Sequence, residues 1–171
     1  MCHIVPEFPE KGKLHLLGNF TQLNFMIQIQ ASDILRVVQN KDETITWYVD
    51  RQTGSFHPFS TEEKGLGDTG EFLDALRETP ERFLAIEEIP RKTRYKFMID
   101  FIDQVKDGRM RVEVAQATAH KMPFKAFETM MRFNPELNKQ WSRHEAMRQL
   151  KYYMAWFQFK GIDAALKMPG S

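Results

Sequence analysis

His144 and Glu145 stand side by side in the segment "SRHEAMR", and an imidazole next to a carboxylate is a pairing suited to general acid–base chemistry. With Asp100 upstream they form the candidate set for an enzyme whose site would lie between a hairpin and a helical half. The spacing weakens that reading. Neighbours on a helix point about 100° apart and need not face one substrate, so a solvated or half-buried helix surface explains them better. Asp100 and Asp103, at i and i+3, are placed to approach one cation, yet such pairs more often form the wet face of a helix.

The five histidines, His3, His15, His57, His120 and His144, follow no His-x-x-x-His or Cys-x-x-Cys spacing, so no zinc site is expected. His57-Pro58 follows a turn, and His120 lies near a helix end where an imidazolium favours the negative dipole. Gly65, Gly67 and Gly70 formally spell a dinucleotide fingerprint. That motif needs a buried apolar strand before it, whereas "STEEKG" is polar and Glu62, Glu63 and Asp68 would repel a pyrophosphate. A surface loop is the better reading, and no cofactor is expected.

Arg132, Lys139, Arg143, Arg148 and Lys151 gather near Trp141 and Tyr152. Cations interleaved with exposed aromatics hold single-stranded nucleic acid, which makes Arg143, Arg148 and Lys151 the candidates for partner binding. The competing explanation is that their stems cover the rim of a buried aromatic face while their heads reach water.

The chain as a whole exerts no strong field on a partner. Twenty-four Lys and Arg oppose twenty-three Asp and Glu, so a basic site would have to be local. The single Cys2 cannot form an intrachain disulfide, which fits a reducing cytoplasm. The first twenty residues lack the apolar run of a signal peptide, and no stretch of eighteen apolar residues suggests a membrane span. A cytoplasmic protein is expected.

Residues 1–20 are rich in breakers and read as an arm that lies on the domain or stays mobile; 21–161 read as a single α+β domain and 162–171 as a C-terminal tail. "LNFMIQIQ" alternates as a strand, and "ASDILRVVQN" reads as a short helix capped by Ser32 or Asp33. "TITWYVDRQTGSFHPF" is a hairpin in which Gly54 takes positive φ. "EFLDALRE" predicts a helix and "RFLAIEEI" a further strand of a small, mainly antiparallel sheet.

After Pro90 helix formers dominate. Tyr95, Met98, Ile99, Ile102 and Val105 share a helical face, with Gly108 as its stop, and a second helix runs to about His120. "PFKAFETMMRF" is a third. Asn134-Pro135 then marks a helix break and restart, with Asn134 capping a long helix of about residues 136–160. That helix carries two apolar stripes, one through Tyr152, Ala155 and Phe159 and one through Leu150, Tyr153 and Phe157, so both sides of its second half should be buried. The architecture expected is a small sheet packed on a helical C-terminal half.

The hairpin "YVDRQTGSF", the strand ending "IEEIP" and the helical ending, in that order, resemble the bacterial uncharacterised protein family 0158. In that family a Phe is followed eight residues on by Pro-Glu-Leu, then a Trp, then a later Trp. Here these fall on Phe127, Pro135-Glu136-Leu137, Trp141 and Trp156, and the resemblance covers roughly residues 30–160. Where the family carries Phe-Arg and acidic residues after the first Trp, this chain has "SRHEAMR", so no role of that Arg is carried over. The resemblance implies a cytoplasmic bacterial α+β protein and brings no activity. With no nucleophile–base pair, metal spacing or phosphate loop in the chain, the expectation is a non-enzymatic interaction or regulatory module. Its partner would be a protein or nucleic acid, not a membrane, and a homodimer through the aromatic last helix is conceivable.

Overall fold

The computed structural model describes residues 26–60, 69–119 and 121–169. Cys2, His3, His15, His120, Gly65, Gly67 and the N-terminal arm lie outside them. The first strand, β1 (Ile27–Gln30), buries Ile27 and Ile29 and exposes Gln28, as its alternation dictates. It runs directly into α1 (Ala31–Gln39), so Ser32 and Asp33 fall inside the first turn and do not cap it. Asp33 instead meets Arg36 one turn on, at 3.2 Å.

β2 (Ile45–Asp50) and β3 (Phe56–Ser60) form the expected hairpin, antiparallel with Val49 opposite Phe56. Gly54, at φ +77°, donates its N–H to the Asp50 carbonyl at 2.8 Å. A Cβ there would stand 2.8 Å from the Gln28 carbonyl oxygen, so glycine is required both by the turn and by the approach of β1. α2 (Thr69–Glu78) and a short 3-10 turn (Pro80–Arg82) lead to β4 (Phe83–Ala85), which pairs antiparallel with β2. The strand read across residues 82–89 is thus only three residues long. Beyond it, Ile86 still donates to the Trp47 carbonyl (2.8 Å), and the Glu87 carbonyl accepts from the Tyr153 hydroxyl (2.9 Å).

The helical half comprises α3 (Arg91–Ile102), α4 (Gly108–Thr118), α5 (Pro123–Phe133) and α6 (Pro135–Phe159). Gly108 does not end α3; it opens α4, where the Asp107 carboxylate accepts from the Met110 N–H at 3.0 Å. Asn134 does sit at the corner, but its amide donates back to the Met130 carbonyl of α5 (2.9 Å) and caps nothing ahead. On α6 the buried residues are Leu137, Leu150, Tyr153, Trp156 and Phe157, whereas Ala155 and Phe159 are exposed; its second half is buried on one side.

The largest departure is at the C-terminal end. Gly161, again at φ +77°, reverses the chain: Ile162 donates to the Phe157 carbonyl (2.9 Å) and Gly161 to that of Gln158 (3.1 Å), a Schellman closure. Residues read as a packed turn or frayed tail then form β5 (Ala164–Lys167), parallel to β1 with Ile27 opposite Ala164. Hence β1 belongs to a two-stranded parallel sheet with β5, and the antiparallel sheet is β3-β2-β4. "AALK" has too weak a strand signal to reveal this; the glycine turn and the waiting edge of β1 make the strand.

Two apolar clusters result. One joins β1, α1, the hairpin, Phe97 of α3 and the second half of α6; the other joins the rest of α3, α4, α5 and the start of α6. Trp141 packs against both.

At the hairpin, Asp50 is 2% exposed, and its carboxylate accepts from Arg82 Nε (3.0 Å) and Nη2 (2.6 Å), Gln52 N–H (2.8 Å) and Thr53 Oγ (2.8 Å). Burial pushes its pKa up, but these four donors outweigh burial and hold it at about 2, against an ordinary 3.8. Replacing Asp50 by Asn leaves Arg82 without its counter-charge and should lower stability on the order of 3 kcal/mol in urea denaturation. A depressed carboxyl stabilises fully above its unfolded value and loses that contribution as pH falls through its folded value. The gap between wild type and Asp50→Asn should therefore shrink between pH 3.8 and about 2; a gap independent of pH would refute the assignment.

Candidate functional site

α6 carries His144 and Glu145 to different neighbours. His144 faces α3: its Nε2 lies 3.1 Å from the Phe97 carbonyl, which can only accept, so this nitrogen bears the proton. The ring rests against Phe101 (5.5 Å between centroids) and Trp141 (5.9 Å). One turn along α6, Arg148 binds the Asp100 carboxylate at 2.8 Å. Burial depresses the His144 pKa and Arg148 adds to it, while the Phe97 carbonyl and Asp100 oppose. Glu145 instead senses Arg94 and Glu128: burial raises its carboxyl, Arg94 lowers it and Glu128 raises it.

Asp100 and His144 thus share one cluster and Glu145 another, and among the described residues no hydrogen bond links any two of the three. Asp103 is exposed at the end of α3, and no group of three or more His, Cys, Asp or Glu residues suited to a metal occurs among the described residues. His57 stacks on Phe72 at 4.8 Å and meets the edge of Phe83, with its pKa lowered by burial. Of the basic candidates, Arg148 is engaged by Asp100, while Arg143, Lys151 and Lys139 are exposed.

Arg132 leads to a different place. An open groove of about 520 Å³ lies between the start of α3 and the length of α5, with Arg91, Lys125 and, in the last turn of α5, Arg132 as its cations and Met122 and Phe124 as its apolar surface. Glu128 and Thr129 complete the lining. None of the three cations has an ion-pair partner among the described residues. The guanidiniums of Arg91 and Arg94 lie 5.6 and 5.7 Å from the centre of the Phe124 ring, and Tyr95 meets its edge at 6.2 Å. A second, shallow hollow of about 390 Å³ shares Met122, Lys125 and Thr129 and is also lined by Ala117 and Ala126. Neither hollow is lined by His144, Glu145 or Asp100.

The helix starts add to the positive character. Neither α3 nor α5 has a side-chain cap or an acidic residue in its first turn, and Arg91 and Met122, which flank these two starts, both line the groove. A helix normally places acids there, against its positive dipole end. Sequence reasoning gathered Arg132 with α6 and missed Arg91, Arg94 and Lys125. The available signal was the inverted charge of "RKTR" directly after a proline.

The model of an uncharacterised protein family, UPF0158, matches residues 24–168 and so covers both the His144 cluster and the groove. A UPF0158 protein of Pseudomonas aeruginosa is 31% identical over 96 residues, or 56% of this chain. The match spans 63% of that relative, less than two thirds of its length. No solved structure matches. Among the described residues no helix is long and apolar enough to cross a membrane.

Since folded His144 titrates below 6.5, the unfolded chain binds the extra proton first and stability should decline as pH drops below that value. Two substitutions should move the folded pKa in opposite directions in an NMR titration of the imidazole. Arg148→Gln removes a nearby cation and raises it; Asp100→Asn removes a nearby anion and lowers it. Shifts of the same sign in both would contradict the arrangement.

Proposed function

The chain belongs to the uncharacterised family UPF0158, whose description carries no activity, and from that premise we propose that it is a non-enzymatic interaction module, cytoplasmic in bacteria, that binds an anionic partner through the groove between α3 and α5. The observation that supports this reading is the convergence of three cations, without ion-pair partners among the described residues, on an aromatic surface that runs along α5 from two helix starts that no first-turn acid neutralises. Cations kept apart from carboxylates retain their full charge for a ligand. Glu128 is the one carboxylate in the lining.

The enzyme reading has less behind it. Asp100 is occupied by Arg148, the His144 proton is spent on a helix carbonyl, and Glu145 senses a different set of charges. A general base needs reach to a substrate in a cavity, and neither hollow provides it.

Heparin, a polyanion without bases, tests the reading. The wild-type protein should be retained at low salt, and the triple variant Arg91→Glu, Lys125→Glu, Arg132→Glu should lose about tenfold or more in affinity, as expected when several anion contacts are removed. All three side chains belong to groove residues outside the buried core, so thermal stability should stay near wild type. Arg143→Glu with Lys151→Glu, on α6, should have a smaller effect. Flow-through of the wild type at low salt, or equal retention of the triple variant, would end the proposal.

A further inference from the structure

Resting on that reading, we infer that the anionic partner is a single-stranded nucleic acid, held by its phosphates on Arg91, Lys125 and Arg132 with a base stacked at Phe124. The inference rests on the parts of the groove that charge alone leaves without a use. An acidic peptide would need the cations but not the layered surface of Phe124, with two guanidiniums over its ring at 5.6 and 5.7 Å and Met122 beside it. A base is a flat π system, and both an aromatic ring and a guanidinium plane are surfaces on which bases stack.

Shape separates single strands from duplexes. The groove is concave, and Phe124 is half-buried in it. A duplex presents phosphates outside and keeps its base faces stacked within, so its bases cannot reach that ring; an unpaired strand can turn one inward. The second hollow adjoins the first through Met122, Lys125 and Thr129 and has the small side chains of Ala117 and Ala126 in its lining, which leaves room for a neighbouring nucleotide. Lys125 and Arg132 are two helical turns apart, about 10 Å along α5, so they engage different phosphates. The Thr129 hydroxyl already donates to the Lys125 carbonyl at 2.8 Å, and no other neutral side-chain donor lines the groove, so binding should tolerate any base.

The test uses the full chain and fluorescence anisotropy with a mixed-sequence single strand of twelve or so nucleotides, its duplex, polyglutamate and heparin as separate probes. The single strand should bind about tenfold or more tightly than the duplex and polyglutamate at the same salt. Phe124→Leu keeps apolar bulk in the core but removes the ring; it should weaken the single strand about fivefold or more and weaken heparin by a clearly smaller factor. Glu128→Gln, which removes the repelling carboxylate, should tighten the single strand. Equal affinity for duplex or polyglutamate, or a Phe124→Leu variant that binds the single strand like wild type, would overturn the nucleic-acid inference while heparin binding keeps the anionic-partner reading. Failure of every probe, heparin included, would overturn both.

Discussion

One helix has to serve two cores. α6 is 25 residues long, about 37 Å at the usual rise, and its buried residues enter both apolar clusters, as those of α3 also do through Phe97. Its first turns give Leu137 and Trp141 to the cluster of α3, α4 and α5; its second half gives Leu150, Tyr153, Trp156 and Phe157 to the cluster under the sheet. Trp141 stands at the junction, 4.8 Å from Phe127 and 5.4 Å from Phe101 by ring centroids. Edge-to-face rings of this kind resist rotation as well as separation. The opening corner at Asn134-Pro135 fixes where α5 lies against α6, and α5 in turn supplies most of the groove. The groove is therefore a by-product of how α6 is seated.

The sheet half secures that seat from the other end. The Tyr153 hydroxyl reaches the Glu87 carbonyl, and Lys160 meets the Glu87 carboxylate at 2.6 Å, so the segment after β4 is tied to α6 at two points. β4 is fixed in its turn by Arg82, which crosses from the 3-10 turn to the Asp50 carboxylate of the hairpin. An ion pair of this sort adds little net energy, since burying the charges costs much of what the contact returns; its effect is to allow one arrangement and penalise others. Gly54 transmits the same geometry to β1 by letting the hairpin turn approach the Gln28 carbonyl.

Local chemistry was legible in the sequence and tertiary chemistry was not. The hairpin, the positive φ of Gly54, the long last helix and its glycine stop are written in periodicity and turn residues, and the α+β class follows from them. What failed were choices between two locally equal options. Gly108 could end one helix or begin the next, and Asp107 beside it decided for the second. Asn134 could cap forward or bond backward, and the Met130 carbonyl was the partner within reach. β1 and β5 have to be seen together before either can be assigned to a sheet. At the candidate site, Arg148 looked available because its partner Asp100 lies on another helix, while the groove was invisible because its cations come from two helices far apart in sequence.

The parallel pairing of β1 with β5 also sets an order in time. Residues 27 and 164 are opposite each other, and at ordinary rates of synthesis the second leaves the ribosome on the order of ten seconds after the first. Throughout that interval β1 has a bare edge, and α1, which issues directly from it, lacks the second half of α6 to pack on. The nascent chain must therefore hold its earliest described strand in reserve until the glycine at 161 turns the last one back to meet it. Such long-range closure slows folding, and it leaves a sticky edge for chaperones, or for other chains, to find first.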